Sequence, residues 1–116
     1  MGVFLSVGQA LAILRDAILE SVRYDPRDLT QRQTAVMLMV YLSSAPMTVR
    51  GLAAALAVGK PAISRALDRL EALGLLRRMP DTRDRRSIIV ARTFAGTVYV
   101  HELADRMVTA AALSQD

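Results

Sequence analysis

Nine basic side chains fall between Lys60 and Arg92: Lys60, Arg65, Arg69, Arg77, Arg78, Arg83, Arg85, Arg86 and Arg92. Only Asp68, Glu71, Asp81 and Asp84 oppose them, so the segment carries +5 in a chain whose net charge is +4. Guanidinium groups gathered in one stretch suit a polyanion. They meet phosphate both as charge and as a donor fork, and they match the acceptor pair on a guanine edge. The same inventory argues against catalysis. There is no cysteine and one histidine, with no paired carboxylates, glycine-rich phosphate loop or metal-ligand spacing, so neither an enzyme nor a cofactor is expected. His101, with Glu102 beside it and Asp105 one turn on, makes a poor zinc site without further ligands and reads as an interface or surface residue.

Those arginines need a frame, and the frame is written between Thr48 and Arg92. Thr48 is placed to cap a short helix bearing Leu52, Ala53 and Leu56 on one face. Ala57-Val58-Gly59 is a turn of the length that joins crossed helices, with Gly59 free to take a positive φ. Pro61 fits the first turn of the next helix, whose apolar stripe is Ile63, Ala66, Leu67, Leu70 and Leu73, and Gly74 stops it. The opposite face carries Ser64, Arg65, Asp68 and Arg69. Residues 75–79 and 87–92 then read as two strands joined by the polar loop from Pro80 to Arg86. Helix, turn, helix and a basic hairpin in this order describe a winged helix-turn-helix, a mainly α (α+β) fold.

In that frame Ser64, Arg65 and Arg69 face a major groove, with Arg65 as the base reader. Lys60 and Thr48, at helix starts, meet phosphate. Arg86 at the hairpin is expected in a narrow minor groove, with Asp84 holding its guanidinium, and Arg83 and Arg85 on phosphates. Of Arg77 and Arg78, at most one is expected to reach DNA.

The stretches GLAAALAVGKPAISRALDRLEALGLLRR and DTRDRRSIIVARTFAG resemble the DNA-binding domain of the MarR-type (multiple antibiotic resistance regulator) family. The wing pattern Asp-x-Arg-Asp-Arg-Arg, followed by a strand and Thr-x-x-Gly, is the more specific part. The resemblance runs from about Leu29 to Gly96, and the family's Asp-x-Arg wing motif falls on Asp84 and Arg86. It implies an obligate homodimer acting as a repressor on double-stranded DNA. It also implies a small aromatic acid or phenol as effector, bound between the dimer helices and the DNA-binding unit. At 116 residues the chain is shorter than typical members, which would reduce the dimer arms and any pocket between them.

The flanks supply the dimer arms. Ser6-x-x-Gln9 opens a helix over 6–23 whose stripe is Val7, Leu11, Leu14, Ile18 and Val22. Thr30-x-x-Gln33 opens a second, largely buried helix, starting the 30–92 winged unit, and Met47 is placed to add a short strand beside the wing. Thr93 caps a last helix over 93–113 with apolar residues on two stripes, one of them Tyr99, Leu103, Met107 and Ala110. Leu11, Leu14, Ile18, Tyr99, Leu103, Met107 and Ala110 are the expected dimer contacts within a single domain spanning 1–116. Two-fold symmetry then calls for a near-palindromic operator. The longest apolar run is too short to span a membrane, and no basic residue precedes the apolar amino end, so a cytoplasmic, nucleoid-associated protein is expected. A winged-helix module that binds protein instead of DNA is the alternative reading, disfavoured by the arginines kept on the recognition face.

Overall fold

The computed structural model describes Gly2 and residues 4–114. Two of its helices start where a reciprocal pair of side chains satisfies free N–H groups. Ser6 and Gln9 bond reciprocally ahead of α1 (Val7–Tyr24), and Thr30 and Gln33 do the same ahead of α2 (Gln31–Leu42). Then come β1 (Met47–Thr48), α3 (Val49–Leu56), α4 (Lys60–Ala72), β2 (Leu76–Pro80), β3 (Ile88–Arg92) and α5 (Phe94–Leu113). The strands form one antiparallel sheet in the order β1-β3-β2, with Met47 opposite Val90 and Leu76 opposite Arg92. Among the described residues, no helix is long and apolar enough to cross a membrane.

The chain divides into two compact units, one of them Leu29–Val100. Its core joins Val36, Met37 and Val40 of α2, Leu52 of α3, and Ile63, Ala66, Leu67 and Leu70 of α4. Leu75, Leu76 and Val90 close it from the sheet side, and Tyr99 from the start of α5. The α4 stripe is as its period demands, except that Leu73, at the helix end, is partly exposed. The turn between α3 and α4 does not use the freedom that Gly59 offers. That residue has φ −69° and serves as N-cap, while Ala57 takes the left-handed conformation at φ 54°. The α3 helix ends there, and the Ala57 N–H closes back on α3 carbonyls, so the strained residue is fixed by where the helix stops. Gly74, at φ 74°, ends α4 as expected.

Tyr41 joins elements distant in sequence. Its hydroxyl donates to the Leu75 carbonyl at 2.7 Å and accepts the Thr93 N–H at 3.1 Å. Thr93 Oγ1 in turn accepts the Gly96 N–H at 2.9 Å, opening α5. A Cβ on Gly96 would overlap the Tyr41 hydroxyl and the Leu75 carbonyl oxygen. The Thr-x-x-Gly signature is thus a cap followed by a close approach that only glycine permits.

The other unit comprises Met1–Asp28 and His101–Asp116. Here Ile13, Ala17 and Ala110 are buried, and Gln9 Nε2 donates to the Ser114 carbonyl at 3.2 Å. Asp25, buried at the end of α1, accepts the backbone N–H of Arg27 at 3.0 Å and its side-chain Nε at 2.8 Å. Burial pushes the Asp25 carboxyl up. The Arg27 hydrogen bonds and the charges of Arg27 and Arg106 outweigh that and hold it below the ordinary carboxylate value.

Candidate nucleic-acid interface

The α4 helix presents Lys60 and Arg65 exposed and Ser64 half-buried, all on its amino-terminal half. Gly59 gives this end no side-chain cap, and Pro61 occupies the first turn. The positive end of the helix therefore faces outward beside Lys60, an arrangement suited to an anion. Thr48 caps α3, its Oγ1 accepting the Gly51 N–H at 2.9 Å. The hydroxyl proton is what such a threonine has left to offer a phosphate.

The loop between β2 and β3 is shaped by its aspartates. Asp81 Oδ1 accepts the Arg83 N–H at 2.9 Å, and Asp84 Oδ1 accepts the Arg86 N–H at 3.0 Å. Two successive Asx turns hold the backbone and leave Arg83, Arg85 and Arg86 exposed. Asp84 thereby has a second role beside the expected pairing with the Arg86 guanidinium. Its hydrogen bond goes to the Arg86 backbone, and the Arg86 guanidinium pairs with the same carboxylate at 3.7 Å on a side chain 90% exposed. Asp81 shapes the loop as Asp84 does, a role that the repeat of Asp-x-Arg at 81–83 and 84–86 signals in the sequence.

The role expected of Arg69 is corrected. It bridges to α2, with Nη1 donating to Gln33 Oε1 at 2.7 Å. The same Gln33 oxygen accepts the Thr30 N–H at 3.0 Å, so Arg69 stacks onto the cap of α2 instead of projecting from α4. Arg78 points along the sheet onto α4, pairing with Asp68 and Glu71, which holds its guanidinium still more firmly protonated than usual. Arg77 is exposed on the same strand. Arg92 donates to the Val40 and Ser43 carbonyls and lies 5.7 Å from the Tyr41 ring centroid, so its guanidinium finishes α2 although the residue remains exposed. What projects is Lys60, Ser64 and Arg65 from the helix, and Arg83, Arg85 and Arg86 from the wing.

The expected dimer contacts also divide. Leu11, Leu14 and Ile18 are exposed at 61%, 52% and 51%, and Met107 is exposed while Leu103 is half-buried. Tyr99 and Ala110 are corrections: Tyr99 is part of the winged-unit core, and Ala110 is buried within its own unit. Neither side chain offers an open face.

The model of the MarR family matches residues 27–87, more than half of the chain. The chain belongs to the MarR family. No curated protein matches it at a significant level. Solved structures share its winged-helix fold. The transcriptional regulator Tm0710 of Thermotoga maritima has a TM-score of 0.74 at 23% identity, with 86% of this chain and 68% of that one aligned. The MepR–DNA complex of S. aureus gives 0.74 at 22% identity, over 86% and 79% of the two chains. The YusO protein of Bacillus subtilis gives 0.74 at 20% identity, over 96% and 84%. This MarR-family chain is thus a winged-helix protein of a transcription-regulator family, with exposed arginines on the first half of α4 and on the wing.

Proposed function

We propose that the chain is a sequence-specific regulator that binds double-stranded DNA as a homodimer, acting as a repressor in the cytoplasm on the nucleoid. The observation that carries this reading is the outward projection of Arg65 from α4 together with Arg83, Arg85 and Arg86 from the wing. The neighbouring Arg69, Arg78 and Arg92 are by contrast committed to internal partners. Arg65 reads a base edge in the major groove, and Arg86 enters the flanking minor groove. Lys60, Thr48, Arg83 and Arg85 hold phosphates, with the Asp84 turn fixing the wing backbone beneath them. MepR, similar in fold, has been solved with DNA, which supports the same use here.

Two copies related by a two-fold axis place two α4 helices on a near-palindromic operator, with half-sites about 10 base pairs apart. Leu11, Leu14, Ile18, Leu103 and Met107 are the residues through which the copies meet. Family membership brings the expectation of a small aromatic effector, which thermal shift against a panel of aromatic acids tests.

Selection from random duplexes with the purified protein supplies the operator. Arg65→Ala is expected to relax preference at one base pair per half-site, costing about 1–3 kcal/mol there. Arg86→Ala is expected to weaken operator binding about tenfold or more without lowering the melting temperature. Fluorescence anisotropy that finds wild-type operator affinity in both variants would overturn the assignment.

A further inference from the structure

Beside the core that α4 and β2 share, one polar side chain ties the carboxyl half of α4 to the wing strand. Arg78, on β2, donates Nε to Glu71 Oε1 at 2.8 Å and Nη2 to Asp68 Oδ1 at 2.6 Å. Its backbone N–H lies 3.4 Å from the same Glu71 oxygen. Asp68 and Glu71 are three residues apart, so they share a face of α4, and a planar fork can span both at once. Asp68 also lies one turn after Arg65, on the helix that carries the base reader. On the other side, β2 runs directly into the loop bearing Arg83, Arg85 and Arg86. Arg78 therefore sits where the orientation of α4 and the direction of the wing meet.

Resting on the regulator reading, we propose that Arg78 is a positioning residue for operator recognition: it clamps the wing strand to α4 so that major-groove and wing contacts are made together, without itself touching DNA. Its guanidinium is already spent on two carboxylates, and its side chain is only 29% exposed. A clamp of this kind depends on the fork and not merely on the charge. Lysine keeps the charge but cannot bridge Asp68 and Glu71 in one plane.

The test compares binding to the selected operator and to a random duplex for wild type, Arg78→Lys, Arg78→Met and the double variant Asp68→Asn/Glu71→Gln, across a salt series. A partly unfolded preparation weakens both duplexes alike, so the ratio of the two affinities is the readout. Arg78→Lys is expected to lower the ratio about tenfold, with the salt slope unchanged, because no phosphate contact is lost. The double variant is expected to give the same loss, and adding Arg78→Lys to it is expected to do little more. A phosphate-binding Arg78 predicts otherwise. Lysine would serve nearly as well, and Arg78→Met would weaken both duplexes together and reduce the salt slope by about one contact. Either of those results, or additive losses in the combined variant, overturns the clamp. A wild-type protein that enriches no sequence overturns the regulator reading and the clamp with it. A wild type that enriches one while Arg78→Lys keeps full preference overturns the clamp alone.

Discussion

At Gly96 the backbone of α5 passes so close to the Tyr41 hydroxyl and the Leu75 carbonyl that there is no room for one more carbon. The crowding has a purpose that can be read from the hydrogen bonds. Tyr41 satisfies a carbonyl at the start of the sheet and an N–H at the start of α5, so a single hydroxyl fixes where three elements meet. Gly96→Ala must push Tyr41 off that position and leave buried polar groups short of partners. We expect it to cost about 2–3 kcal/mol, read as a lower urea midpoint at unchanged slope. Tyr41→Phe keeps the ring and loses only the hydroxyl, and should cost about 1–2 kcal/mol. A Gly96→Ala protein that unfolds at the wild-type midpoint would show that the junction yields cheaply.

At the scale of elements, what was legible in the sequence is what depends on neighbours along the chain. The capping pairs Ser6–Gln9 and Thr30–Gln33, the Thr48 cap and the Gly74 stop are set within a few residues, and each falls as expected. The fate of an arginine is different, because it is decided by what lies across from it. Arg69 meets Gln33 and Arg92 meets the Val40 and Ser43 carbonyls, partners that periodicity cannot supply. The Tyr41 hydroxyl was hidden for the same reason, within an apolar run that reads as core. The end of α1 offers a test of such a partner. A carboxylate at a helix carboxyl end is disfavoured by the dipole, and burial adds to that. Arg27 reverses both effects and holds the Asp25 carboxyl below its ordinary value. A depressed folded value means that the stabilisation is present above the unfolded value, about pH 4, and is lost as pH falls through the folded one. Asp25→Asn is therefore expected to lower stability by about 1–2 kcal/mol at neutral pH, with the gap to wild type closing below about pH 4 in parallel thermal melts. A gap that persists unchanged at low pH would mean that the ion pair is not its source.

For the whole molecule the question is what covers the amphipathic stripe of α1. The period places Val7, Leu11, Leu14, Ile18 and Val22 on one face, and that face is exposed along its length, while the buried residues of α1 are Ile13 and Ala17. On α5, Val108 and Leu113 are exposed at 68% and 67%. A row of side chains of this kind gains about 1.5–3 kcal/mol for each one fully buried, so the surface is costly to leave in water. A second copy is the partner that the proposed function needs, because a two-fold operator is read only by two linked α4 helices. Leu14→Glu with Ile18→Glu puts charge into the middle of that face at positions outside Leu29–Val100, the unit that holds α4 and the wing. Sedimentation should find wild type as a dimer at micromolar concentration and the double variant as a monomer. The variant should keep its helical circular dichroism, yet bind a full operator with roughly the affinity of a half-site. If wild type sediments as a monomer, or the double variant as a dimer, the α1 stripe is not the joint between copies, and tight operator binding would need another source of two-fold contact.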